Sequence, residues 1–120
     1  MTKDEILKME SGREMDELIA KKVMKWKYGQ TGDDFSGWIG SKYDSRAYHG
    51  HFNPSTDISA AWEVVEKMKS FSMTIENNPS RDKEIICRFF VPFSTSAFLA
   101  AADTAPLAIC RASLLATFKE

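Results

Sequence analysis

The sequence holds no apolar run near the roughly 20 residues that a membrane-spanning helix needs, so no contact with the membrane interior is expected. Residues 1–27 alternate charged and apolar side chains instead of forming the apolar core of a secretory leader, which makes a cytoplasmic protein the expectation. Cysteine is scarce. Cys87 and Cys110 form no CxxC spacing, so neither a metal knuckle nor a disulfide framework is indicated, and both read as buried free thiols. Neither sign of charge dominates: 16 Lys and Arg stand against 17 Asp and Glu, which gives no electrostatic reason to expect DNA, RNA or an anionic membrane as partner. Catalytic signatures are missing too. There is no HExxH, no GxSxG elbow and no Cys-His pair in a plausible context, and Gly37 to Lys42 (GWIGSK) has Ser and Lys in the wrong order for a phosphate loop. No catalytic residue and no cofactor is therefore assigned, and the sequence favours a binding protein over an enzyme.

What is present suits one small domain spanning 1–120, with 43% hydrophobic and 12% aromatic residues. Thr2 to Glu5 and Ser11 to Glu14 both have the S/T-x-x-E form of a capping box, predicting two N-terminal helices jointed at Ser11-Gly12. Met15, Leu18, Ile19, Val23 and Trp26 recur at helical spacing as a buried stripe. Lys21, Lys22, Lys25 and Lys27 read as its solvated face, a nucleic-acid stripe being the sharper alternative.

Gly29 to Pro54 combines Gly29, Gly32, Gly37 and Gly40 with Trp38, Tyr43, Tyr48, His49, His51 and Phe52, and few aliphatics. A long loop or short hairpin is expected, whose aromatics pack on a sheet, line a ligand, or form a partner or homodimer contact. His49 and His51 point the same way in an extended segment, yet a third ligand at fixed spacing is missing, so no metal is assigned.

A helix from about Thr56 to Lys69 follows, with Ile58, Ala61, Trp62, Val65 and Met68 inward. Phe71 to Glu76 and Glu84 to Phe93 then read as an antiparallel hairpin around Asn77 to Ser80. Ile85, Cys87, Phe89 and Val91 alternate with Ile86, Arg88 and Phe90, so both faces of the second strand are largely apolar, which suggests a central strand covered on both sides. Phe98 to Ala102 is a weaker strand, and Thr104 to Phe118 a closing helix with Leu107, Cys110, Leu114 and Phe118 inward.

Two helix starts carry the functional expectation. Ser55-Thr56-Asp57 and Asp103-Thr104 each run into a helix, where hydroxyls or carboxylates cap free N–H groups and the positive end of the dipole favours anions. The candidate ligand-binding set is Ser55, Thr56, Asp57 and Thr104 for phosphate, Trp38, Tyr43, Tyr48 or Trp62 for stacking on a base, Arg111 for charge, and His51. Trp62 as core filler and Arg111 as a snorkelling surface residue are the plainer alternatives.

STDISAAWEVVEKM, DTAPLAICRASLLA and the opening TKDEILKMESGREMDELIAKKVMKW resemble the phage ABA-sandwich domain family from one end of the chain to the other. The resemblance implies an α/β/α sandwich of α+β class, a small and mainly antiparallel sheet with packed helices, in a viral protein of the host bacterial cytoplasm. It implies no activity residue by residue. By analogy with small phage proteins lacking catalytic machinery, the expected partner is a small anionic nucleotide-type ligand. Such a protein would act as a counter-defence sponge for a cyclic ADP-ribose-like or cyclic oligonucleotide signal. The alternatives are a protein-protein interaction module and a small nucleotide hydrolase using His49 or His51.

Overall fold

The computed structural model describes residues 2–30, 36–39, 47–48, 52–77 and 84–118, with the backbone alone at 27–30, 36–39 and 47–48. Helix α1 (Lys3–Lys8) begins at Thr2, whose hydroxyl oxygen accepts from the Glu5 N–H at 3.2 Å. The joint falls where glycine permits it: Gly12 has φ 144°, a conformation that a Cβ disfavours. Helix α2 (Arg13–Leu18) starts there without a side-chain cap, so the second capping box does not form. It continues as a π-helical segment, Ile19–Val23, in which the Met24 N–H reaches back to the Ile19 carbonyl at 3.0 Å. Met15, Ile19, Val23 and Trp26 are buried, as their spacing predicts, while Lys21, Lys22 and Lys25 are exposed.

The described part of the glycine-rich region takes the hairpin alternative and extends it to a small antiparallel sheet: β1 (Lys27–Gln30), β2 (Ser36–Ile39) and β3 (Ala47–Tyr48), with Trp38 opposite Tyr48. Tyr43, His49 and His51 lie outside the described residues.

Helix α3 (Ile58–Lys67) is capped by Asp57, whose carboxylate accepts from the Ala60 N–H at 3.3 Å. Thr56 is therefore not the cap; it is exposed, and its hydroxyl meets the Asn53 carbonyl at 3.4 Å. The inward stripe is Ala60, Ala61, Val64 and Met68, which lets α3 approach a second helix closely over two alanines. Ile58 and Trp62, one turn apart, stay half exposed, so the inner face is rotated from the one expected.

The main sheet has the order β4-β5-β6, all antiparallel, from β4 (Ser72–Asn77), β5 (Ile85–Phe90) and β6 (Ala97–Ala102). Helix α4 (Ala105–Thr117) packs on β5 and β6 and also meets α1, α3 and the π-helical segment. Sandwiched in this way, it buries Leu107 to Cys110 and Ala112 to Leu115 around nearly its whole circumference. Cys87, Phe89 and Ala100 face it at 0% exposure, with Phe71 set edge-on to Phe89 at 6.2 Å. The opposite sheet face, with Ile86, Arg88, Phe90 and Leu99, is partly exposed among the described residues, so the central strand is not covered equally on its two sides. The fold is a small α+β sandwich of a mainly antiparallel sheet with packed helices.

Cap substitutions test these assignments. Asp57→Ala and Thr104→Ala should each lower stability by about 0.5–2 kcal/mol in thermal or urea melts, whereas Thr56→Ala should be nearly silent. A larger loss for Thr56→Ala than for Asp57→Ala would move the start of α3.

Candidate functional site

Thr104 caps α4, its hydroxyl oxygen accepting from the Leu107 N–H at 3.4 Å, and Pro106 fills an early position where an N–H would be unpaired anyway. Two turns further on, Arg111 is the one charged residue of the helix. Its Nε donates to the Met9 carbonyl at 2.9 Å and its Nη1 to the Ala101 carbonyl at 2.8 Å. The side chain thus ties the α1–α2 joint to β6. It is neither a freely snorkelling arginine nor buried in the core.

Thr104 and Arg111 line one cleft of about 420 Å³, with Glu10, Ser11, Glu84, Asp103 and Leu107. A second hollow of about 570 Å³ adjoins it across Arg111, bordered by Lys3, Leu7, Leu115 and Ala97 to Ala101. Burial pushes the Arg111 guanidinium below its ordinary value, while Glu10 and Asp103 pull it back upward. It stays cationic at any physiological pH. Glu10, Glu84 and Asp103 line the cleft with this one guanidinium, so it offers carboxylate acceptors for hydroxyl or amine donors beside a single cation.

The second helix start does not join this cleft. Ser55 is 1% exposed and internally engaged: its N–H donates to Asp16 Oδ1 at 2.9 Å and its Oγ accepts from the Gly12 N–H at 2.9 Å. Those bonds hold the α1–α2 joint at Gly12 and Asp16, while Arg111 holds it at Met9. Ser55, Thr56, Asp57 and Trp62 line neither hollow beside Arg111. Trp38 and Tyr48 are placed only as opposed backbone positions in β2 and β3, while Tyr43 and His51 lie outside the described residues. Glu10 escapes sequence reasoning altogether, and Asp103 enters it only as part of the Asp103-Thr104 helix start. Asp103 adjoins Thr104 in the chain, but only the docking of α1 on α4 brings Glu10 near. Both thiols are protonated and enclosed: burial pushes Cys87 up to about 12 and Cys110 up as well.

Asp16 gives the joint a pH dependence. Burial raises its carboxyl above the ordinary value, against the lowering effect of the Ser55 N–H and hydroxyl. A raised carboxyl favours the folded state below its unfolded value, and that contribution is lost as pH rises through the folded one. Asp16→Asn keeps an acceptor for Ser55 without the buried charge. It should melt higher than the natural protein at pH 7, with the difference fading as pH falls through the carboxylate range. A variant less stable at pH 7 than at pH 3, relative to the natural protein, would contradict this.

A small α+β domain with open clefts beside Arg111 and, among the described residues, no assembled catalytic set is what the fold and site define. The phage ABA sandwich domain matches residues 17–114, and the chain belongs to that family. Among solved structures, it resembles the crystal structure of a phage protein from Bacillus cereus ATCC 14579, with a TM-score of 0.63 and 24% identity. The match covers 92% of this chain and 95% of that one, and the likeness is one of fold. The chain matches no curated protein. No helix among the described residues is long and apolar enough to cross a membrane.

Proposed function

We propose that this phage-family domain is a non-enzymatic binding protein that sequesters a nucleotide-derived signal in the host bacterial cytoplasm, with the cleft around Arg111 as its site. The observation that carries this reading is the convergence of the Thr104-capped start of α4 and the Arg111 guanidinium on one cleft. The helix start and the guanidinium receive phosphate, while Glu10 and Asp103 accept from ribose hydroxyls or a base amine. That balance favours a ribose-rich ligand with few phosphates, of the cyclic ADP-ribose kind, over a cyclic trinucleotide. Calorimetry against adenine dinucleotides, cyclic ADP-ribose isomers and cyclic di- and trinucleotides tests it. One ribose-rich member should bind at micromolar affinity or better, and Asp103→Asn should alter its affinity. Absence of binding across the panel would refute the reading.

A further inference from the structure

The outer edge of β6 is built to be paired. Val91 N–H donates to the Ser96 carbonyl at 3.0 Å, in register with the β5–β6 ladder. Because bonded and non-bonded pairs alternate in an antiparallel ladder, the N–H and C=O groups of Ala97, Leu99 and Ala101 point away from β5. The bond from Arg111 to the Ala101 carbonyl, made from outside the ladder, agrees. No described strand pairs with that edge. Monomeric proteins protect such an edge with charge, proline or a bulge, and Ala97 to Ala102 (AFLAAA) has none of these. The other edge, β4, carries Ser72, Thr74 and Glu76, the last ion-paired with Arg88.

We propose that β6 is a homodimer edge, pairing antiparallel with β6 of a second copy about a two-fold axis at Leu99, so that the two β4-β5-β6 sheets become one of six strands. This goes beyond the ligand reading; the pairing brings the second copy to the rim of the Arg111 cleft, and oligomeric state and ligand binding are measured separately.

Two features favour a second copy over another partner. First, the edge is self-complementary: Ala97 of each chain faces Ala101 of the other, and Leu99, 45% exposed, faces its own counterpart. The Ala101 carbonyl accepts the new ladder bond on its second lone pair. Second, charge is sorted along the edge. Lys3 and Leu115 line only the hollow that runs along Ala97 to Ala101, Glu10, Asp103 and Leu107 only the one at Ala101 and Ala102, and Glu84 and Arg111 line both. The two-fold sets Lys3 of one chain toward Glu10 and Asp103 of the other.

Sedimentation velocity from micromolar to near-millimolar concentration tests the proposal. The natural protein should sediment at twice the chain mass at the upper end. Leu99→Pro removes an outward N–H that its own sheet does not use, and Leu99→Lys places like charges at the axis while keeping that N–H. Each should raise the dimer dissociation constant at least about tenfold, with circular dichroism unchanged. Should Leu99→Pro fail to fold, Leu99→Lys and an inter-chain disulfide in Leu99→Cys carry the test. A natural protein that stays monomeric throughout, or a dimer unaffected by Leu99→Lys, would overturn the proposal. Nucleotide binding by a monomer would leave the functional reading standing.

Discussion

Replacing Arg111 by Ala should cost about 2–4 kcal/mol and loosen the α1–α2 joint, because two charge-assisted bonds from one guanidinium disappear together. The Met9 and Ala101 carbonyls lie at the margin of an open cleft, so water recovers part of the loss. Arg111→Lys should fall between the two, since an ammonium is a single point of donation and lacks the planar fork. Urea melts give the size of the effect. Hydrogen exchange gives its location: protection should fall first around residues 9–12. A change smaller than about 0.5 kcal/mol, typical of an exposed surface position, would mean that the two bonds are not made in solution.

Phe89→Ala should be costlier still, at about 3–5 kcal/mol, because it leaves a cavity where the central strand meets α4. Its neighbour supplies the control. Phe90 points to the partly exposed face, so Phe90→Ala removes less buried area and should cost well under half as much. Equal losses at the two positions would contradict the assignment of sheet faces.

The fold was legible wherever a local signal and the final packing agreed. Thr2 caps α1, Gly12 makes the joint, the stripe from Met15 to Trp26 is inward, and the strand and helix order after Phe71 is as the patterning requires. The α3 face was misplaced because Ile58 and Trp62 are more hydrophobic than Ala60 and Ala61, yet α4 accepts the alanines for their size. The β1–β3 sheet was legible only as the short-hairpin alternative, because its segments are short and poor in β-branched residues, so neither period is visible in them.

The lining of the candidate cleft was legible in half. Thr104 and Arg111 share one helix, and their spacing in the chain already placed them together. Ser55 has the same chemistry as a ligand-binding hydroxyl, but its partners, Gly12 and Asp16, lie about forty residues away in sequence and consume it structurally. Helix-start chemistry alone does not tell a phosphate site from a tertiary tie; burial does.

The central claim, binding without turnover at the Arg111 cleft, is tested most directly by mass spectrometry of nucleotide recovered after binding. Protein incubated with a cyclic ADP-ribose-type ligand, freed of excess and then denatured, should return that ligand at unchanged mass and in stoichiometric amount, and Arg111→Lys should retain roughly tenfold less at limiting concentration. A cleaved product, or equal retention by Arg111→Lys, would contradict the account.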